Sequence, residues 1–466
     1  MEHIKVSDLV RATGGRLLGG SPDREINHLS IDSRTMKGQD LFIPLVGEKN
    51  DAHRFIGQAV SNGAVAALTS EHNELPEGMS CPLIRVADTK KALQDIGRFL
   101  RSRLTLPLVG ITGSVGKTTT REMTAAALSA GYRVFKTPAN YNSQVGVPIT
   151  ISEIGKDDEI GVLELGMSEP GEMAVISDIA RVDAALITNV GVTHIENLGS
   201  RENILREKLN IQNGLKKGGV LFLNGDNDLL KNVKAREGFE TVTYGLGEEN
   251  DYHAVNIEIR DGKPFFTMVH GQKKVPVSLQ VMGEHNILNA LAALAVADYF
   301  HVSLEKAAEK LHEFGGFKNR QQVYETAGIT IIDDTYNASP DSMRAGIKVL
   351  SSLRNKGRRV AVLADMKELG EQELLFHREI GGFLSKEPVE ELVTFGELAG
   401  EIGRGAAEAR KEGLKITSFG QEERASMTRY LEQNLKPGDA VLFKGSNSMK
   451  LGETAAYFIK TGQVKL

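Results

Sequence analysis

Residues Gly113 to Thr119 have the types and the spacing of a phosphate-binding loop. They follow an apolar run, Leu106 to Ile111, and precede a helix-compatible segment, Arg121 to Ala130. In a strand–turn–helix unit of this kind, backbone N–H groups surround a phosphate, a lysine adds positive charge and the next hydroxyl can reach Mg²⁺. The sequence therefore predicts a nucleotide site built on Gly113, Ser114, Val115, Gly116, Lys117, Thr118 and Thr119.

One position departs from the commonest phosphate-loop pattern. That pattern has a glycine where this chain has Ile111, and here the glycines stand at Gly110 and Gly113 instead. The alternative interpretation is an ordinary glycine turn between a strand and a helix. The Gly-Lys-Thr-Thr run at the start of a helix favours the nucleotide site.

Polar residues interrupt or follow the apolar runs that come after this loop. Glu164 lies within the run Ile160 to Leu165, and a buried lone carboxylate is costly unless it is paired or binds a metal. Mg²⁺ is the natural partner beside a phosphate loop, while an edge-exposed glutamate is the alternative. Asn189 and His194 lie at or beyond the end of the next run, where parallel sheets bind ligands. On its own, His194 is more often a structural residue than a ligand.

Later polar clusters carry weaker signals. Asn286 and Asn289 stand at the start of a predicted helix, where they either cap it or contact a base. Asp334 and Asn337 belong to a polar strand exit that suits a ribose or base and equally suits a plain turn. The run that begins at Lys444 could bind an anion. Near the N-terminus, the polar stretches 32–34 and 47–55 are surface turns or parts of a site.

Composition narrows the class of protein. Lys and Arg number 56 against 61 Asp and Glu, a net charge of −5, so no basic excess indicates nucleic acid binding. Cys81 is the single cysteine, which excludes an intrachain disulfide and fits a reducing compartment. No signal-like N-terminus and no run of about 18 apolar residues is found. We expect a soluble cytoplasmic protein with no membrane insertion.

The order of predicted elements indicates an α/β fold in three domains, since 466 residues exceed one ordinary core. Residues 1–86 form a small α/β domain, and 87–317 form a central domain with a parallel sheet, the phosphate loop and a hairpin at 255–269. Gly315-Gly316 marks the second boundary. Residues 318–466 hold five short apolar runs and predict a Rossmann-like α/β domain without a dinucleotide motif.

Taken together, these motifs resemble those of the Mur ligases, ATP-dependent amide-forming ligases of peptidoglycan assembly. The family loop Thr-Gly-(Ser/Thr)-x-Gly-Lys-Thr matches 112–118, which accounts for Ile111. The match continues through 140–148, 164–166, 189–196, 283–286 and 319–320. Within the family, 333–343, 364–370 and 444–449 resemble the branch that adds D-alanyl-D-alanine to a UDP-muramoyl tripeptide. The departures are Ala52, Ser143 and Asn447, where the family has Gly, Asn and Arg.

The resemblance implies a role for each matching residue. Lys117 and Thr118 would hold phosphates, and Thr118 and Glu164 would bind one Mg²⁺. His194 would serve a second Mg²⁺, and Lys208 would carry a carbamate that bridges the metal site. Lys117, His194 and Lys208 are thus the expected catalytic residues. The expected ATP contacts outside the loop are Asn286, Arg320, Asp334 and Asn337, and the expected substrate contacts are Ser33, Arg34, Asn140, Asn142 and Ser143.

By the same resemblance, the first domain binds the UDP-muramoyl tripeptide, the central domain binds ATP, and the product forms through an acyl phosphate. The implied partners are the tripeptide and D-alanyl-D-alanine, and a monomer is expected. A sister ligase that adds a single amino acid, or one that uses folate, is the nearest alternative. A P-loop kinase or NTPase switch and an inactive binding protein of the same fold are more distant ones.

Overall fold

The computed structural model describes residues 4–47, 50–409 and 412–462, so Glu48 and Lys49 of the polar stretch 47–55 lie outside the described residues. Three large sheets follow one another along the chain, each covered by helices. The α/β fold class is thereby confirmed. Within the described residues, no helix has the length and apolar character needed to cross a membrane.

The first sheet has five strands in the order β2-β7-β6-β5-β4, and only β2 is antiparallel to its neighbour. A separate two-stranded ladder joins β1 and β3. The elements of this region are β1 (Ile4–Lys5), α1 (Val6–Thr13), β2 (Arg16–Leu17), β3 (Glu25–Ile26), β4 (His28–Ser30), β5 (Asp40–Phe42), α2 (Ile56–Ser61), β6 (Ala64–Thr69), β7 (Leu83–Arg85) and α3 (Thr89–Arg103).

The second sheet has nine strands in the order β16-β15-β14-β13-β12-β11-β8-β10-β9. Strands β8 to β14 run parallel to one another, β14 and β15 form the predicted antiparallel hairpin, and β16 adds a further antiparallel strand. The elements are β8 (Leu108–Thr112), α4 (Lys117–Leu128), β9 (Val134–Lys136), α5 (Gly146–Glu153), β10 (Ile160–Glu164), α6 (Glu172–Ala180), β11 (Ala184–Ile187), α7 (Ile195–Leu198), α8 (Arg201–Leu209), β12 (Val220–Asn224), β13 (Glu240–Gly245), β14 (Tyr252–Arg260), β15 (Lys263–His270), β16 (Lys273–Ser278), α9 (His285–Tyr299) and α10 (Leu304–Glu313).

The apolar runs of this sheet are explained by burial on both faces. Leu108 and Leu163 belong to one hydrophobic cluster, while Val109 and Val162 belong to the cluster on the opposite face. A parallel sheet covered by helices on both sides needs such continuous apolar strands. The polar strand exits are therefore left at the carboxyl edge, where the phosphate loop also lies.

The third sheet has six strands in the order β17-β18-β22-β19-β20-β21, parallel except for β17. The elements are β17 (Gln322–Thr326), β18 (Ile329–Asp334), α11 (Pro340–Ser352), β19 (Arg359–Ala364), α12 (Glu373–Leu384), β20 (Glu391–Phe395), α13 (Ala399–Glu408), β21 (Lys415–Phe419), α14 (Arg424–Asn434), β22 (Ala440–Lys444) and α15 (Leu451–Thr461). All five predicted runs are strands, and β17 is an additional edge strand.

Candidate active site

The phosphate loop is shaped by two glycines in conformations that disfavour side chains. Gly113 has φ +153°, and a Cβ placed there would lie 1.8 Å from Oγ1 of Thr188. Gly116 has φ +84° and forms the N-cap of α4. The loop can therefore keep its backbone N–H groups turned towards a ligand only because neither position carries a side chain.

Asn189 and Lys117 hold the loop from either side. The Asn189 Oδ1 atom accepts hydrogen bonds from the backbone N–H groups of Ser114 at 3.1 Å and of Val115 at 2.8 Å. The Lys117 ammonium donates to the carbonyl oxygen of Gly113 at 2.9 Å. Burial lowers the pKa of Lys117, and the Glu164 carboxylate opposes that shift. The loop thus has a cation and several oriented amides close together, which suits a phosphate.

Glu164 is buried at the end of β10, with 3% of its surface exposed, so the edge-exposed alternative is excluded. Its Oε2 accepts hydrogen bonds from the Thr118 hydroxyl at 3.0 Å and from the Arg121 guanidinium at 3.2 Å. Its Oε1 accepts one from the Asn142 amide at 2.8 Å. Both oxygens are therefore held in place, beside the threonine that the sequence predicts as a metal ligand.

A network of buried charges continues from Arg121. The Arg121 guanidinium is almost fully buried, donates to Glu122 Oε1 at 2.6 Å and to the carbonyl oxygen of Ala139 at 3.0 Å. Glu122 is also paired with Lys136. Arg121 is therefore shared between two carboxylates, and its positive charge compensates the buried negative charge of Glu164.

Side chains of the third sheet and of the segment before it face the loop. An Arg320 Nη donates to the Thr118 hydroxyl at 3.2 Å, and the Arg320 guanidinium lies 3.8 Å from the centre of the Tyr336 ring. The Lys444 ammonium donates to Asp334 Oδ2 at 2.7 Å and to the carbonyl oxygen of Asn337 at 3.1 Å. Burial lowers the pKa of Lys444, while Asp334 acts in the opposite direction.

Helix α9 is tied to the helix that starts in the phosphate loop. The Asn286 amide donates to the carbonyl oxygen of Met282 at 2.6 Å and accepts from Asn289 at 2.8 Å. Asn289 in turn accepts from the Thr120 hydroxyl at 3.0 Å. Burial lowers the pKa of the neighbouring His285 to about 4. The two asparagines therefore fix α9 against α4, which is more than the simple cap that the sequence allowed.

His194 and Lys208 lie near the loop. His194 follows β11 with φ +64°, and its Nδ1 lies 2.5 Å from Oε2 of Glu368. Lys208 lies in α8 with 1% of its surface exposed. Burial, together with the nearby charge of Lys117, lowers the pKa of Lys208 well below its usual range. An amine in this environment is readily neutral, which is the form that can add carbon dioxide.

One cavity of about 330 Å³ collects most of the predicted site residues. The predicted residues that line it are Ser114, Val115, Gly116, Lys117, Thr118, Thr119, Asn142, Ser143, Glu164, His194, Asn286, Arg320, Asp334 and Asn337. Gly113 and Lys208 are not among the residues that line it. Ser33, Arg34 and Asn140 do not line it either.

Ser33 and Arg34 belong to a turn of the first sheet. The Ser33 hydroxyl donates to Gln58 Oε1 at 3.0 Å, and Arg34 pairs with Asp32 at 2.8 Å. Asn140 is exposed near Asn142. These three residues remain predictions as substrate contacts.

The polar stretch that contains His53 forms a structural turn. The Nε2 atom of His53 accepts the backbone N–H of Ser70 at 2.9 Å, so Nδ1 carries the proton and donates to Asp51 at 2.6 Å. Glu71 lies close enough to complete a group of three metal-type ligands. Because both ring nitrogens of His53 are engaged, this group does not offer a free imidazole ligand.

Several residues around the cavity were not predicted from the sequence. Arg121, Glu122 and Glu172 were not predicted, although Arg121 and Glu122 follow the loop directly. Glu172 accepts the backbone N–H of Ser168 at 2.7 Å and an amide hydrogen of Gln144 at 3.0 Å. The signal that could have identified Arg121 and Glu122 is that two charged residues stand together on a helix that packs against an apolar sheet.

The residues present fit a divalent cation. Glu164 is a buried carboxylate beside the Thr118 hydroxyl, and hydroxyl and carboxylate oxygens together with nucleotide phosphates are what Mg²⁺ prefers. His194 lines the same cavity. Together with a modified Lys208, these are the residues that would hold Mg²⁺.

Comparison with known proteins decides the family. The Mur ligase family, catalytic domain matches residues 25–101, the Mur ligase middle domain matches 111–297, and the Mur ligase, glutamate ligase domain matches 319–447. The chain is 37% identical over 458 residues to the UDP-N-acetylmuramoyl-tripeptide--D-alanyl-D-alanine ligase of Bacillus subtilis, covering 98% of both chains. The Mur ligase resemblance inferred from the motifs is confirmed. The chain belongs to the Mur ligase family.

Other Mur ligases are similar over the same length. The Haemophilus influenzae protein of the same name is 32% identical, with 99% of both chains covered. A crystal structure of MurF from Acinetobacter baumannii has a TM-score of 0.88 at 31% identity, covering 98% of this chain and 99% of that one. The MurF ligase of Thermotoga maritima in complex with ADP has a TM-score of 0.81 at 28% identity, covering 93% and 97%. The similarity therefore includes all three sheets.

Proposed function

We propose that this chain is an ATP-dependent ligase that joins D-alanyl-D-alanine to the terminal carboxylate of UDP-N-acetylmuramoyl tripeptide. The observation that carries the proposal is end-to-end similarity, at up to 37% identity, to ligases named for that reaction. A further observation supports it. One cavity is lined both by the phosphate loop of the central sheet and by Arg320, Asp334 and Lys444, as a nucleotide held between two domains requires.

The reaction proceeds in two balanced steps. An oxygen of the tripeptide carboxylate attacks the γ-phosphorus of ATP, the bond to ADP breaks, and an acyl phosphate forms. The amine of the dipeptide then attacks the acyl carbon, loses a proton, and phosphate leaves as the amide forms. Bound Mg²⁺ would offset the charge of the phosphates.

The residues of the chain contribute mainly position and charge. The loop amides and Lys117 bind the phosphates, and Arg320 adds a second cation next to Thr118. Arg121 and Asn142 orient Glu164. Closing the cavity between the central and third domains excludes water, which would otherwise hydrolyse the acyl phosphate.

Several finer roles belong to this proposal. Thr118 and Glu164 would hold one Mg²⁺ and His194 a second, and Lys208 would carry a carbamate near the metal site. Asn286, Arg320, Asp334 and Asn337 contact ATP. Ser33, Arg34, Asn140, Asn142 and Ser143 contact the UDP-muramoyl tripeptide. Domains 1–86, 87–317 and 318–466, a cytoplasmic location and a monomeric state remain predictions.

Measuring ADP release tests the reaction. With UDP-muramoyl tripeptide and D-alanyl-D-alanine together, ADP forms and mass spectrometry finds the pentapeptide product. Without the dipeptide, ADP release should stay near background, whereas a kinase or NTPase would continue. Single amino acids and a UDP-muramoyl dipeptide serve as the arm for a sister ligase, and Lys117→Ala serves as the inactive control. Product only in the single amino acid arm would overturn the proposal.

A further inference from the structure

Two loops from different sheets meet beside the cavity. The first follows β11 and carries His194, and the second follows β19 and carries Glu368. The His194 Nδ1 atom lies 2.5 Å from Glu368 Oε2, and a Cβ placed at Gly370 of the second loop would lie 3.3 Å from the Cα of Glu196. The contact therefore connects the central region of the chain with the C-terminal region.

Both residues of this pair have unusual backbone conformations. His194 has φ +64° and Glu368 has φ +65°, values that residues with a side chain rarely adopt. Such conformations persist where surrounding structure enforces them, and they concentrate at functional sites. The two loops are thus built to present these side chains to each other.

The two nitrogens of His194 have different surroundings. Nδ1 is buried, and within the described residues its close partner is the Glu368 carboxylate, in a contact that does not meet the geometry of a hydrogen bond. The ring itself lines the cavity and is partly exposed, which leaves Nε2 as the nitrogen available to a ligand there. A histidine that binds a metal through one nitrogen usually donates a hydrogen bond from the other nitrogen to a carboxylate or a carbonyl oxygen.

We infer that Glu368 is a positioning residue, which fixes the His194 ring with Nε2 towards the cavity and so completes the second metal site when the third domain lies against the central one. This inference rests on the proposed function, because it takes His194 as a metal ligand. It assigns a role to the third domain beyond contacts with substrates.

A simple role in holding the domains together explains the pair less well. The Glu368 side chain is 52% exposed, and ion pairs of exposed groups stabilise structures only slightly. A carboxylate in this position can still orient a ring, since orientation needs a fixed acceptor rather than a large interaction energy. The two roles predict different results for metal binding and for nucleotide binding.

Binding of Mn²⁺ as a probe for Mg²⁺ tests the inference. The full-length protein is titrated with Mn²⁺ in the presence of a non-hydrolysable ATP analogue and UDP-muramoyl tripeptide, and free Mn²⁺ is measured by electron paramagnetic resonance. The parent should bind two ions. Glu368→Ala should weaken one of them by about 10- to 100-fold, and Glu368→Gln less, because the amide oxygen can still accept a hydrogen bond.

Glu371→Ala is the matched control, since it removes an exposed carboxylate three residues along the same loop. It should bind both ions as the parent does. Thermal unfolding checks that the variants fold, and if Glu368→Ala does not, the isosteric Glu368→Gln decides the question.

Two results would overturn the inference, and a third would count against the proposed reaction. Parental affinity for both ions in both Glu368 variants would overturn the inference. Equal weakening of Mn²⁺ and of the ATP analogue would also overturn it, because Glu368 would then only hold the domains together. A parent that binds two ions but makes no pentapeptide would count against the proposed reaction and leave the role of Glu368 standing.

Discussion

At the scale of single residues, the site depends on charges that burial makes costly. Glu164, Arg121 and Lys208 are all nearly fully buried, and each needs an opposite charge, a hydrogen bond or a change of protonation state. Glu164 and Arg121 satisfy one another in part. Lys208 has no such carboxylate at hydrogen-bonding distance among the described residues, so its environment favours the neutral amine.

We expect Glu164→Gln to raise the Mg²⁺ concentration needed for half-maximal activity by more than about 10-fold. The amide keeps the shape, its oxygen can still accept from Asn142 and its NH₂ group can donate to the Thr118 hydroxyl, but it loses the charge that attracts the cation. Arg121 keeps Glu122 as a partner, so folding should be preserved. Activity is titrated against Mg²⁺, with the exposed Glu169→Gln as the control. An unchanged titration curve with normal thermal stability would make Glu164 a structural residue.

We expect Lys208→Ala to fold but to lose activity by on the order of 10²-fold or more, because the carbamate proposed for Lys208 could no longer form. Alanine has the highest helix propensity, so α8 should tolerate it. Short carboxylic acids should restore part of the activity by occupying the vacated anion position. Lys217→Ala, a change at an exposed lysine, is the control. Near-parental activity of Lys208→Ala, or mass spectra without carbon dioxide on Lys208 under native conditions, would contradict the carbamate.

The sequence predicted these residues unequally well. Glu164 stood out because a carboxylate within an apolar strand has few explanations, and it is buried at the cavity as expected. Lys208 had no such signal, since helical spacing does not distinguish a buried lysine from an exposed one, and only resemblance identified it. Arg121 was missed because a polar residue at the start of a helix normally points to solvent.

At the scale of elements, the loop between β8 and α4 determines the site. The sequence predicted a strand, a glycine turn and a helix, and the structure has them in that order, with α4 beginning at Lys117 rather than Arg121. Strands β13 and β17 were not predicted. Most residues of these two strands are partly exposed, so the strands lack the continuous apolar pattern of the central strands.

We expect Gly113→Ala to abolish binding of an ATP analogue. The new Cβ would lie 1.8 Å from Thr188 Oγ1, and alanine disfavours φ +153°, so the loop must move away from its phosphate-binding shape. A displaced conformation of this kind costs about 1–3 kcal/mol, which lowers the melting temperature as well. Calorimetry and thermal unfolding measure both effects.

Gly382→Ala is the matched control, because this helical glycine in α12 has no atom within 4 Å of the new Cβ. Its binding should be parental, and its stability equal or higher by about 0.4–1 kcal/mol. If Gly113→Ala bound the analogue as tightly as this control does, the loop would not be the phosphate site.

At the scale of the whole molecule, the cavity exists because the third sheet lies against the carboxyl edge of the second. Val192 packs against the hydrophobic cluster of the third sheet, although it belongs to the loop after β11. Asp341 of α11 comes within 2.5 Å of a Cβ placed at Gly191. Both domains were predicted from the sequence, but these contacts were not, because a single sequence carries no information on which loops of separate domains meet.

We expect Val192→Ser to separate nucleotide binding from turnover. The loss of apolar contact with the third sheet favours a more open arrangement, while the phosphate loop, which lies on the central sheet, is left intact. Affinity for an ATP analogue should therefore stay within a few-fold of the parent, whereas turnover should fall by on the order of 10-fold or more, since small misplacements of reacting groups are costly. Val46→Ser, at a valine that is 63% exposed, controls for the substitution itself. Turnover and analogue affinity that fell together would show that Val192 supports the nucleotide site, and parental turnover would show that this contact is dispensable for closure.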